Sequence, residues 1–340
     1  MDESSFLIIH AGAGFHAERK RSSYKKLLKH CLQIGVQSFN EISTAVDCVE
    51  RVVCHLEDSP LTNAGCGSNL SLDGTVESEA LVSDGKSCGS VAAIIGFKNP
   101  IKCARAVFDN QLLPSQLGRV PPCFLVAQGA ERFLEDKGIE KVPADLLLTK
   151  ESRSIFNEAC ARLCKELKAP SLCTVGALAY HNNTIAVANS SGGILLKHPG
   201  RIGPSCLFGV GSWASYQPEM SLAITVTGIG EQIMKTNLAS TIGHQLFNVN
   251  VPLMFLLKDN FQKFYIESSF LDNEEPLVGI IVLRKSSTAV ELAWIHSSKS
   301  FAIGYGTSSH LKYFVSEKLS KVEKTFELGG VNFSLKDHFK

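Results

Sequence analysis

Apolar positions recur along this chain at two periods. Residues 6–9 form a short continuous apolar run of strand length, which ends in the small-residue stretch His10-Ala11-Gly12-Ala13-Gly14. From about 18 to 39 the spacing is helical, with Leu27, Leu28, Cys31 and Ile34 on one face. Ser43 or Thr44 can cap a second helix, in which Ala45, Val49, Val52, Val53 and Leu56 repeat at helical intervals until Asp58-Ser59-Pro60 stops it. Two strands are predicted at 75–82 and 90–97, separated by Asp84-Gly85 turn chemistry. Asn99-Pro100 opens a helix to about 110, and Pro121-Pro122 opens another to about 136. Residues 145–173 are polar, with helical propensity over 151–167, and read as a mobile linker or a surface helix. From 174 onward strands dominate, at 175–180, 184–189, 221–227, 277–283 and 289–295, with helices after Gly230 and over 259–270. Residues 312–340 are polar and lysine-rich and read as a peripheral tail.

Composition narrows the class. The 340 residues are 44% hydrophobic and 20% charged, enough apolar material for a packed core in one large domain or two ordinary ones. No apolar run reaches the length of a membrane span. A net charge of +1 argues against a dedicated nucleic-acid binder. Residues 1–12 carry acids where a secretory signal would be basic, so cytoplasmic or nuclear residence is expected. The eleven cysteines are odd in number and scattered without a C-x-x-C, so neither a disulfide framework nor a zinc site is expected. The basic residues Arg19, Lys20, Arg21, Lys25, Lys26 and Lys29 read as a solvated helix face. The loop 10–14 lacks the lysine and the spacing of a phosphate loop.

The sharpest local feature is Cys173-Thr174-Val175-Gly176-Ala177, where a threonine opens a buried strand directly after a polar segment. If the chain is cut before Thr174, one residue carries both a hydroxyl nucleophile and an α-amine, whose ordinary pKa of about 7.7–8.0 suits a general base. The β-methyl group restricts χ1 and helps aim the hydroxyl. A threonine at that place is also an ordinary strand former, so the motif needs its context.

That context is an ordered series: His10 to Gly14, Asn63-Ala64-Gly65, Thr174-Val175-Gly176, Ser190-Ser191-Gly192-Gly193, Pro199-Gly200-Arg201 and Thr227-Gly228-Ile229-Gly230-Glu231. Over roughly residues 6–310 it resembles the plant-type asparaginase and isoaspartyl peptidase superfamily of N-terminal-nucleophile hydrolases. Within that superfamily, residues 58–65, 67–70, 119–126 and 196–201 are more similar to threonine aspartases, or taspases. The resemblance implies an α+β fold of four layers, αββα, in one domain spanning 1–340. It implies self-cleavage of the Cys173–Thr174 bond into chains 1–173 and 174–340 that stay together, and pairing of two such units. It implies Thr174 as nucleophile and base, Ser191 as a supporting hydroxyl, and Thr227 and Gly228 as oxyanion donors, each donor typically worth about 3–4 kcal/mol of barrier. Arg201 would grip a substrate carboxylate, with Asn63 beside it. No organic cofactor and no catalytic metal is implied, although a structural monovalent cation near 56–66 is a family feature. His10 and His198 read as structural, because the mechanism needs no imidazole.

Two residues depart from the pattern. Pro204 stands where asparaginases of this class carry the acid that holds a substrate's free α-amine. An Asp inside a polypeptide has no such amine, so the loss favours an endopeptidase cleaving after Asp, at Gln-x-Asp-Gly-like sites in nuclear regulatory proteins. Asparaginase or isoaspartyl peptidase activity is the alternative. Cys173 stands where taspases have Asp and asparaginases commonly have Gly. It motivates a third reading, an uncut inactive relative that serves as a binding or scaffold protein. Bland readings remain for each motif: Ser191 as a turn residue, Arg201 as half of a surface ion pair, Gly228 and Gly230 as turn glycines.

Overall fold

A computed structural model describes residues 5–114, 118–162, 174–247, 251–272, 274–319, 322 and 325–335. The chain runs β1 (Phe6–Gly14), α1 (Glu18–Ser38), α2 (Ala45–Glu57), β2 (Glu77–Ser83), β3 (Cys88–Ile95), α3 (Pro100–Gln111), β4 (Phe124–Val126), α4 (Ala127–Asp136) and α5 (Lys150–Arg162). It continues β5 (Val175–His181), β6 (Thr184–Ser191), β7 (Ser212–Tyr216), β8 (Met220–Gly228), α6 (Gly230–Thr236), α7 (Leu238–Gln245) and α8 (Leu253–Phe261). It ends β9 (Val278–Ser286), β10 (Ala289–His296), β11 (Ser300–Gly306), β12 (Leu311–Glu317) and β13 (Glu327–Ser334).

An eight-stranded sheet has the order β12-β11-β1-β5-β6-β2-β3-β4, and a five-stranded sheet the order β13-β10-β9-β8-β7. The two-residue period of each strand then assigns every side chain to a layer. In β5, Val175, Ala177 and Ala179 join the core under α1–α4, while Leu178 and Tyr180 face the other sheet. In β8, Leu222, Ile224 and Val226 pack under α6–α8, while Ala223 faces inward. Three apolar layers between four layers of structure make an αββα sandwich. Of the two expected caps of α2, Thr44 takes the position, in a reciprocal capping box with Asp47.

Several predicted elements change. The helix expected from Pro121 begins only at Ala127, because the residues after the two prolines form β4 and pair in parallel with β3 through Ser90↔Phe124. Strands β7 and β11 were not predicted; both are rich in Ser, Gly and Ala. β11 needs small residues on one face, where Gly304 sits against Leu32 of α1, while Phe301, Ile303 and Tyr305 fill the inter-sheet core. The segment expected as a linker or a surface helix does contain a largely exposed helix, α5, but Leu147 just before it is buried with Leu70 and Val76. The expected polar tail instead supplies edge strands to both sheets, β12 beside β11 and β13 beside β10. The partial exposure of nearly every residue in these edge strands is what made the segment look like a tail. Among the described residues, no helix is long and apolar enough to cross a membrane.

Candidate active site

The alternation that builds the inter-sheet core also builds a polar pocket at one end of it. Thr174 precedes β5, in phase with Leu178 and Tyr180, and so faces the second sheet. Thr227 near the end of β8 is in phase with Ala223, Ser191 at the end of β6 is in phase with Val187, and both point into the same space. Asn63, Glu79, Thr174, Ser191, Arg201 and Pro204 line one pocket, with Gly193, Ile194, Gly228 and Gly230 closing its walls. Among the described residues given a catalytic or substrate-binding role from the sequence, Thr227 alone is not on that wall. It lies directly beneath, fully buried, with its hydroxyl 3.5 Å from the Thr174 carbonyl oxygen. Cys173, and with it the expected cleavage bond, lies outside the described residues.

Thr174 is nearly buried, at 7% exposure. Its hydroxyl lies 3.2 Å from the Ser205 hydroxyl. Ser191, expected to be that partner, accepts the Gly193 N–H at 3.0 Å. Asn63 fastens the adjoining loop, donating to the Gly193 carbonyl at 2.7 Å and accepting the Asn69 N–H at 2.8 Å. Beneath Thr174, Gly176 allows β5 to pass over a polar cluster. A Cβ there would come within 2.4 Å of His10 Nε2 and 2.5 Å of Asn189 Oδ1. His10 is fully buried and touches Thr225 at 3.3 Å. Burial pushes its pKa down to about 3, against the opposing pull of a hydrogen bond to the Thr174 backbone, so the imidazole is neutral. Gly228 is equally constrained: its φ is +153°, and a Cβ would meet the Leu277 carbonyl oxygen at 2.2 Å.

Arg201 reaches the pocket from a loop that two carboxylates of β2 hold in place. Glu77 accepts the Gly200 N–H at 2.9 Å, and Glu79 accepts the Gly203 N–H at 2.5 Å and the Ser205 N–H at 3.3 Å. Both acids are buried, and these bonds compensate their desolvation. Buried Lys197 adds a cation beside them, donating to the Glu77 carbonyl at 2.8 Å; burial lowers its pKa. The Arg201 guanidinium uses Nε and Nη2 to hold Glu231 Oε1, at 3.0 and 2.7 Å. Among the described residues no hydrogen bond engages its Nη1.

Sequence reasoning missed Glu79 and Ser205. Glu79 had a signal: two carboxylates two residues apart at the start of a strand share a face and, once buried, must find donors. Ser205 had none, because its place depends on the turn that carries it. Within the loop 56–66, several carbonyls accept internal hydrogen bonds. Thr62 Oγ1 donates to the carbonyls of Leu56 and Ser59, and Cys66 N–H donates to that of Glu57. Among the described residues there is no cluster of three or more His, Cys, Asp or Glu able to hold a metal ion.

This arrangement suits attack by a buried hydroxyl on a carbonyl held near an anion-binding arginine. Comparison with known proteins identifies the family. Residues 3–315 match the family described as Asparaginase. The chain is 36% identical to an isoaspartyl peptidase/L-asparaginase of Bos taurus, over 68% of this chain and 74% of that protein. It is 32% identical to a probable isoaspartyl peptidase/L-asparaginase 2 of Arabidopsis thaliana, over 69% and 78%. It is 34% identical to a plant-type L-asparaginase of Pyrococcus furiosus, over 69% and 77%. With the two-sheet sandwich and the threonine at the head of β5, these matches place the chain in the asparaginase family of N-terminal-nucleophile hydrolases.

Proposed function

We propose that the chain cuts itself before Thr174 and then acts as a threonine endopeptidase that hydrolyses polypeptides after Asp. In the first step Thr174 Oγ1 attacks the preceding carbonyl, and water hydrolyses the resulting ester. The freed α-amine then takes the Oγ1 proton as the hydroxyl attacks a substrate carbonyl. In this reading the Thr227 hydroxyl and the Gly228 N–H would donate to the oxyanion. Arg201 would hold the carboxylate that fixes the substrate, the side chain of Asp in a polypeptide or the α-carboxylate of a free amino acid.

The observation that carries this choice is Pro204 on the pocket wall. It presents no carboxylate to a substrate amine. Among the described residues the one acid on that wall, Glu79, already holds the Gly203 and Ser205 N–H groups, and Glu231 holds Arg201. A substrate with a free α-amine therefore lacks an anchor, whereas an internal Asp needs none. Nuclear regulatory proteins carrying Gln-x-Asp-Gly-like sites are the substrate class of this reading. A second reading, isoaspartyl peptidase or asparaginase, is favoured by the names of the relatives at 32–36% identity.

One experiment separates the two. The purified chain, after denaturing electrophoresis to establish whether it is split at 173–174, is incubated with a Gln-x-Asp-Gly peptide, a β-aspartyl dipeptide and free asparagine. Turnover of the peptide alone is the expected result. Turnover of only the other two would establish the second reading, and an intact, inert chain would leave a scaffold.

A further inference from the structure

We propose that Ser205 is the hydroxyl that aims the nucleophile, the part expected of Ser191, and that Glu79 holds it there. The inference rests on the reading of Thr174 as nucleophile. Ser205 Oγ lies 3.2 Å from Thr174 Oγ1, and both residues are buried. The hydroxyl contact shown for Ser191 is instead with the loop, where its Oγ accepts the Gly193 N–H. Ser205 sits in a single helical turn, Pro204–Cys206. The proline fixes φ at the first position and has no N–H of its own. Glu79 spans it, taking Gly203 N–H on one oxygen and Ser205 N–H on the other. The turn that lacks an amine-binding acid is thus pinned from both sides, and what it presents to Thr174 is a hydroxyl.

A threonine hydroxyl has one proton and two lone pairs. When the proton is given to Ser205 Oγ, both lone pairs are free to face a carbonyl, and the stiff χ1 of threonine is held in one well. This matters most before the cut. The nitrogen of Thr174 is then an amide and cannot act as a base, and Cys173 supplies no carboxylate. In the acyl shift the Oγ1–C bond forms as the C–N bond breaks, and the Oγ1 proton ends on the departing nitrogen, which becomes the free amine. Water then hydrolyses the ester, leaving a carboxylate on Cys173 and restoring the hydroxyl. Ser205 gains and loses no proton overall. It orients the donor through both steps.

The test compares wild type, Ser205→Ala and Ser205→Thr. The time course of splitting is followed by denaturing electrophoresis, and kcat and KM are measured on whichever substrate wild type turns over. Ser205→Ala is expected to slow splitting and lower kcat about tenfold or more each, with KM within about twofold. Ser205→Thr, which keeps the hydroxyl, is expected to recover to within about threefold of wild type on both. Splitting and kcat within about twofold of wild type in Ser205→Ala would overturn the inference. So would a folded Ser205→Thr as slow as Ser205→Ala. If Ser205→Ala does not fold, Ser205→Cys, near in volume but a poor acceptor, takes its place under the same criteria. A wild-type chain that never splits and turns over nothing overturns the Thr174 reading itself, a result read on wild type alone.

Discussion

Arg201 is the residue whose sequence reading the structure qualifies most. It reaches the pocket as expected, yet Glu231 already occupies its Nε and Nη2. A substrate carboxylate must therefore bind at the open end of the fork or displace a half-exposed acid. Arg201→Ala is expected to raise KM about 10- to 100-fold, the range of a charged hydrogen bond, and Arg201→Lys to fall between, since it keeps charge without the fork. Initial rates across substrate concentration check this, and an unchanged KM would place the carboxylate elsewhere. At this scale much of the site was legible. Thr174, Ser191, Thr227, Gly228, Arg201 and Asn63 belong to contiguous motifs, and the fold brings them to one end of the inter-sheet space. What the motifs hid was their wiring. The partner of Thr174 sits 31 positions away on a turn set by Glu79, and no local pattern encodes that.

Among the elements, those with strong local grammar were legible: α1 and α3, the capped α2, and strands with continuous apolar runs such as β5 and β9. Those decided by neighbours were not. β4 exists because β3 offers it an edge, and β11 is poor in bulk because α1 lies against it. The junction of α2 and α3 carries its own prediction. Glu57 ends α2 fully buried, and its Oε1 accepts the Ile101 N–H in the first turn of α3. Burial raises its pKa from 4.5 to about 8. The folded state therefore binds a proton that the unfolded state releases above pH 4.5. The stabilisation from this group is complete below that pH and is lost as pH rises towards about 8. Buried His10, His16 and His296 act with the opposite sign. Their pKa values fall to about 3, 4 and 4, so they weaken the fold as pH drops below 6.5. Glu57→Gln keeps an acceptor for Ile101 and removes the titration. The fall in Tm between pH 5 and 8 should shrink by a few degrees relative to wild type, with the acid limb unchanged, as read by thermal melts across pH.

For the whole molecule, the order of strands matters more than their number. In the eight-stranded sheet, β1 from the first part of the chain lies between β11 and β5 from the second, and β6 in turn meets β2. A bond broken before Thr174 would leave every one of these ladders in place, so chains 1–173 and 174–340 should migrate as one species until denatured. The pairing of β1 with β11 joins residues about 300 positions apart, Leu7 with Gly306. In one continuous chain that contact closes a long loop, whose cost grows only slowly with its length. In two chains it is a collision between separate molecules. Cutting would thus change the order of the folding reaction. After dilution from denaturant, uncut Thr174→Ala should recover at a rate independent of protein concentration. The split protein should recover at a rate that rises with concentration and fade into aggregation when dilute halves wait too long for each other. A folded molecule of this kind would be kept by the barrier to coming apart more than by its ability to re-form.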